Sequence, residues 1–120
     1  MGFTGFNEFQ QNPQYPEVQD ISPHHVKAAQ EHIVLIDVRE NEEWNGELGH
    51  VEGSTLINLG ALPENLSHIP QDKHVVLICR SGARSARAAA FLKSQGYTKV
   101  YNMLGGMILW NRQGHPVARE

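Results

Sequence analysis

The chain has 120 residues, of which 40% are hydrophobic and 19% are charged, and its formal net charge is −3. This length suits one domain that buries roughly two-thirds of its unfolded surface, so neither a disulfide nor a structural metal is needed for stability. The ten Lys and Arg residues form no long basic block, and no apolar run reaches the ~18 residues of a membrane span, so we expect no nucleic-acid partner and no membrane partner.

The N-terminal stretch differs in composition from the rest of the chain. Residues 1–16 are rich in Gln, Asn, Gly and Pro, which predicts a mobile N-terminal arm, followed by one domain over residues 17–120. With no charged-then-apolar leader and a single cysteine, the sequence predicts a cytoplasmic protein, because a reducing compartment keeps a working thiol usable.

Apolar strands alternate with helices along the domain. We expect helices at residues 23–31, 62–68 and 85–95 and one introduced by residues 104–106, and five short strands at residues 18–21, 33–38, 55–59, 75–78 and 97–103. Ser22 and Pro23 suit the N-cap and the first position of the first helix. This alternation predicts an α/β fold, a five-stranded mostly parallel sheet with helices on both faces.

Polar side chains follow the strand at residues 33–38. Because the carboxyl ends of parallel strands line the ligand crevice, we expect Asp37 and Arg39 to lie near the cysteine. They are either a salt-bridged pair that closes the strand or direct participants in catalysis, and we favour the salt-bridged pair.

The stretch at residues 74–96 joins a buried strand to an alanine-rich helix. The strand delivers Cys79 to its own carboxyl end, and six residues, Cys79 to Arg84, precede a helix that begins near Ser85. The first amides of a helix have no intrahelical partner, and a tight loop that contains Gly82 can direct its N–H groups inward. We therefore expect the loop to stabilise a Cys79 thiolate, with Arg80 and Arg84 adding positive charge.

Several motifs carry a family resemblance. CRSGARS after an apolar strand, IDVRE and GHVEGS upstream, and LGGMILWNRQGHPV downstream resemble the rhodanese family of sulfurtransferases in its single-domain form, over about residues 18–117. The resemblance implies a single rhodanese-like domain with Cys79 as the catalytic residue and Asp37 and Arg39 as scaffold. It also implies a substrate-binding loop formed by Arg80, Ser81, Gly82, Ala83, Arg84 and Ser85.

Two departures from the family pattern lie away from the thiol. Four residues, 45–48, separate Trp44 from Gly49, whereas two residues are commoner at this place in the family. Ser54 stands where the family usually has an alanine. His50, in the GHVEGS motif, could pair with the cysteine as a base. A histidine between glycines in a structural turn is more often a hydrogen-bonded support, and we favour that role.

The expected function is sulfur transfer from a small anionic donor such as thiosulfate, or a similar persulfide donor, through a Cys79 persulfide. The acceptor would be a thiol or cyanide, with a thioredoxin-like or other sulfur-carrier protein as a protein candidate, and we expect no cofactor and no metal. Arg80 and Arg84 would attract the donor and hold its sulfonate oxygens.

Two alternatives remain open. One is a Cdc25-like phosphatase or arsenate reductase, a class related to the rhodanese family. Such an enzyme needs seven residues from its cysteine through its arginine, whereas Cys79 to Arg84 spans six. A non-catalytic rhodanese-fold binding module is the other alternative, although inactive relatives usually lose the cysteine that this chain keeps.

Overall fold

The computed structural model describes residues 2–119. The strands are β1 (Gln10–Gln11), β2 (Gln19–Ile21), β3 (Val34–Asp37), β4 (Thr55–Leu56), β5 (Val75–Ile78) and β6 (Val100–Met103). The helices are α1 (Pro23–Ala28), α2 (Asn41–Trp44), α3 (Ala83–Ser94) and α4 (Gly106–Arg112), and 3-10 segments lie at Gln30–His32 and Leu59–His68.

The strands form one sheet in the order β1-β2-β6-β5-β3-β4. All neighbours are parallel except β1 and β2. Asp37 on β3 stands beside Ile78 on β5, and Asn102 on β6 stands beside Leu77. The residues that end β3, β5 and β6 therefore meet at one edge, with Cys79 in the middle.

Both faces of the sheet are covered, and β5 contributes to each. Val75 and Leu77 belong to a core that includes Leu92 of α3. Val76 and Ile78 belong to a second core, formed with residues of α1 and α4. A strand that is apolar at every position is what burial between two helical layers requires.

The predicted α/β class is confirmed, and all five predicted strands are present: β5 has the predicted limits and the other four are shorter. The sixth strand, β1, was not predicted. The predicted helix at residues 62–68 is a longer 3-10 segment, in which Pro63 removes one backbone donor and Asn65 leaves the helical region. None of the helices within residues 2–119 is both long and apolar enough to cross a bilayer.

The N-terminal stretch, expected to be a mobile arm, packs against the sheet in the structure. Gln10 and Gln11 pair with β2, and Asn12 is buried. The Phe6 ring lies 5.0 Å from the Tyr101 ring. Composition alone favoured a mobile arm, whereas Phe6 supplies an apolar contact to the sheet.

Candidate active site

Cys79 directly follows the central strand β5 and is fully buried, with 0% of its surface exposed. The Gly82 amide donates a hydrogen bond to its Sγ over 3.1 Å, and the Ser85 Oγ lies 3.2 Å from the same sulfur. Amides along residues 80–85 were expected to converge on the sulfur. Within residues 2–119, one amide and one hydroxyl reach it instead.

Helix α3 begins at Ala83, two residues before the predicted start, because Gly82 acts as its N-cap with φ +102°. That left-handed conformation is one that L side chains rarely adopt. A Cβ at this position would also lie 3.2 Å from the Gly105 amide nitrogen. The loop around the sulfur is thereby confined to residues 79–82, and the first turn of α3 faces it.

The first turn of α4 anchors the same loop from the other side. The Met107 amide donates to the Cys79 carbonyl over 2.8 Å, and the Ile108 amide donates to the Arg80 carbonyl over 3.0 Å. A Cβ at Gly106 would collide with these carbonyls. The glycine pair at the start of α4, Gly105 and Gly106, thus allows the close approach that fixes the loop backbone.

The two loop arginines have different surroundings. Arg84 donates from both terminal nitrogens to Glu43 of α2, over 2.7 and 2.9 Å. These hydrogen bonds lower the pKa of the Glu43 carboxyl to about 2, and they raise the pKa of Arg84. Arg80 is exposed and forms no ion pair within the described residues. Glu43 was not among the predicted site residues, and Arg84 is held by it rather than left open to an anion.

Asp37 and Arg39 form a buried ion pair at the end of β3. The Arg39 Nε lies 2.9 Å from one carboxylate oxygen and a terminal nitrogen lies 2.8 Å from the other. The same nitrogen donates to the Gly49 carbonyl, and Asn58 binds the Arg39 carbonyl. The pair ties β3 to the following loops, which is the arrangement that the scaffold interpretation expects.

His50 is buried and stacks on Trp44 with ring centroids 3.6 Å apart. Its Nδ1 lies 2.9 Å from the Trp44 carbonyl, and its backbone bridges to Ala118. No hydrogen bond joins it to Cys79 in the described part of the chain. Within residues 2–119, no three His, Cys, Asp or Glu side chains come together as a metal site would need.

A small cleft lies beside the loop, with a volume of about 200 Å³. Residues from the end of β3, from α2, from the 45–48 segment and from the loop line it: Arg39, Glu42, Glu43, Gly46, Glu47, Leu48 and Arg80. The 45–48 segment therefore forms one wall of the cleft.

Behind the sulfur lies a buried polar network that sequence reasoning did not find. Ser85 Oγ lies 2.5 Å from the Asn102 side-chain oxygen, and the Asn102 amide group donates to Asp20 over 2.9 Å. Asn12 donates to the same Asp20 carboxylate. The available signal was Asn102, an amide side chain inside the buried strand β6.

The rhodanese-like domain model matches residues 22–113. The chain belongs to the rhodanese-like domain family. It is 40% identical over 87 residues to a sulfurtransferase of Allochromatium vinosum, covering 72% of this chain and 79% of that protein. It is 32% identical over 95 residues to the thiosulfate sulfurtransferase GlpE of Ectopseudomonas mendocina, covering 78% of this chain and 85% of that protein.

The fold of this rhodanese-like domain agrees with solved structures. A rhodanese-related protein from Thermoplasma volcanium superposes with a TM-score of 0.77 at 31% identity, covering 84% of this chain and 98% of that one. The resemblance drawn from the sequence motifs is thus confirmed. The names of the relatives support a sulfurtransferase.

Proposed function

We propose that this rhodanese-like domain is a sulfurtransferase that carries a sulfane sulfur as a persulfide on Cys79. The position of the sulfur supports this most directly, since the Gly82 amide donates to it and the Ser85 hydroxyl lies 3.2 Å away, at the start of the 12-residue helix α3. The backbone holds the Gly82 amide in place, so this donor stabilises negative charge on the sulfur without reorganising.

Transfer would run in two steps. The Cys79 thiolate attacks the outer sulfur of thiosulfate, a new S–S bond forms, and sulfite leaves with the electron pair of the broken bond. A thiophilic acceptor then attacks the outer sulfur of the persulfide, and the electron pair returns to Cys79 as thiolate. A thiol acceptor leaves as a persulfide and cyanide leaves as thiocyanate, so no cofactor is consumed.

Arg80 is the group that we assign to attracting an anionic donor. It is exposed and lines the cleft of about 200 Å³, so an anion that enters the cleft meets its charge. Arg84 is already paired with Glu43 and would take part after that pair opens. Ser81 in the loop and Ala83 at the start of α3 would contribute backbone to the same site.

The donor must be admitted to a sulfur that is fully buried. Movement of the loop side chains is therefore part of the proposal, and a persulfide on a small thiol or on a carrier protein is a second donor class. Thioredoxin-like or other sulfur-carrier proteins are the acceptors that we propose, in a reducing cytoplasm that regenerates free thiols.

Mass spectrometry after mixing with thiosulfate tests this proposal. We expect Cys79 to gain the mass of one sulfur atom and to lose it again, as thiocyanate, when cyanide is added. Cys79→Ser should fold normally and gain nothing, because serine is nearly isosteric. No gain from thiosulfate or from glutathione persulfide would overturn the proposal. Hydrolysis of an aryl phosphate without sulfur uptake would point to a phosphatase, and inertness in both assays to a binding module.

A further inference from the structure

The buried network behind Cys79 contains one hydrogen that two acceptors need. Ser85 has a single hydroxyl hydrogen, and its Oγ lies 3.2 Å from the Cys79 sulfur and 2.5 Å from the Asn102 oxygen. The hydroxyl can donate to one of them at a time. Ser85 is fully buried and Asn102 is 2% exposed, so bulk water does not replace the bond that is lost.

The orientation of the Asn102 amide is fixed by its other contacts. Its nitrogen donates to the Asp20 carboxylate over 2.9 Å and to the Gly82 carbonyl over 3.1 Å, which uses both hydrogens. A flipped amide would place its oxygen against two acceptors. The Asn102 oxygen therefore faces Ser85 permanently, and Asn12 holds Asp20 in place from the far side.

We propose that Asn102, oriented by Asp20, is a positioning residue that holds the Ser85 hydrogen away from Cys79 while the sulfur is neutral and so restrains formation of the thiolate. In the resting thiol, the S–H of Cys79 donates to Ser85 Oγ and the Ser85 hydroxyl donates to Asn102. When the thiol loses its proton to solvent, Ser85 must turn toward the sulfur. The Asn102 oxygen is then left buried without a donor, which is costly.

This inference deepens the proposed function and rests on Cys79 as its nucleophile. In a persulfide the Cys79 Sγ is again neutral, and the charge lies on the outer sulfur. The network thus favours both the resting and the sulfur-loaded enzyme over the free thiolate.

Charged groups lie on the elements around Cys79. They are Arg80 in the loop, Arg84 on α3 with Glu43 on α2, the Asp37 and Arg39 pair at β3, and Asp20 on β2. Of these, only Asp20 contacts Asn102, and it belongs to the network itself. A change in thiolate formation in that variant is therefore attributable to the network.

Alkylation by iodoacetamide, in which the sulfur bonds to carbon and iodide leaves, reports the thiolate without requiring sulfur transfer. The alkylation rate is measured as a function of pH, and for Asn102→Leu we expect the midpoint of that curve to lie about one pH unit lower. One pH unit is a tenfold change in the ionisation equilibrium, about the effect of one ordinary hydrogen bond. In a Ser85→Ala background the same substitution should produce no shift. Asn65→Leu, which removes a part-buried amide bound to the Ala61 carbonyl, is the matched control and should leave the midpoint unchanged.

Asp20→Asn provides a second variant if Asn102→Leu fails to fold. It keeps the shape of the side chain and lets the Asn102 amide turn, so the midpoint should fall by a smaller amount. An unchanged or higher midpoint in the folded variants, or an equal shift in the Ser85→Ala background, would overturn the inference. Failure of the proposed function would appear separately, as alkylation without any sulfur uptake from donors.

Discussion

Glu43 binds Arg84 through both carboxylate oxygens, so the helix that follows the Cys79 loop is tied to the helix that follows β3. Their side chains are 27% and 35% exposed. The pair thus lies between a surface ion pair and a buried one, and it affects both the stability of the loop and the charge that a donor meets.

The first prediction concerns acid stability. The hydrogen bonds from Arg84 lower the pKa of Glu43 from its ordinary 4.5 to about 2, against a smaller opposing effect of burial. A lowered pKa means that the contribution to stability is complete above pH 4.5 and is lost as the pH falls through about 2. At this exposure we expect about 1 kcal/mol at neutral pH.

Urea unfolding of the unmodified chain and of Glu43→Gln between pH 2 and 7 measures this contribution. The two free energies of unfolding should differ at pH 7 and converge toward pH 2. Glu42→Gln, a change at an exposed neighbour on α2, should follow the unmodified chain throughout. A constant difference across the range would show that the Glu43 charge is not its source.

The second prediction concerns donor choice. Glu43→Gln removes a negative charge and releases Arg84, so the KM for thiosulfate should fall roughly three- to tenfold, as one recovered charge contact allows. The KM for a neutral alkyl persulfide should change little. Glu42→Gln removes the same charge from the cleft without releasing Arg84. An equal effect of both substitutions would mean that overall charge, rather than the freed guanidinium, controls the donor.

The sequence predicts much of this arrangement because its main signals are local. The apolar run of β5 places Cys79 at a strand end, and the Asp37 and Arg39 spacing predicts the pair that closes β3. The partners of Glu43 and Asn102 could not be predicted in this way. Glu43 meets Arg84 across 41 residues, and Asn102 meets Asp20 across 82, so their contacts depend on how the strands are ordered in the sheet.

The start of α3 shows a different limit. Ser85 is a favourable N-cap residue, whereas the observed N-cap is Gly82. The left-handed turn at that glycine is set by contact with the loop before α4, which is distant in sequence. The alanine-rich run therefore placed the predicted helix start too late.

The third prediction concerns Arg80. It is exposed at the cleft and unpaired within the described residues, so Arg80→Ala should raise the KM for thiosulfate roughly five- to tenfold. A neutral persulfide donor should be affected by less than about twofold, because it lacks the charge that the guanidinium attracts. Arg87→Ala, at an exposed position further along α3, is the matched control. Equal losses with both donors would exclude anion attraction as the role of Arg80.

The last prediction concerns the buried pair at β3. Asp37→Ala leaves the Arg39 guanidinium buried without its counterion, so we expect a loss of about 3–5 kcal/mol in the free energy of unfolding and a loss of activity with it. Asp37→Asn keeps the shape and one acceptor and should lose less of both. Thermal unfolding and sulfur transfer are measured on the same samples. Activity that fell while stability stayed unchanged would place Asp37 in the chemistry itself, since the scaffold role links the two losses through the position of the Cys79 loop.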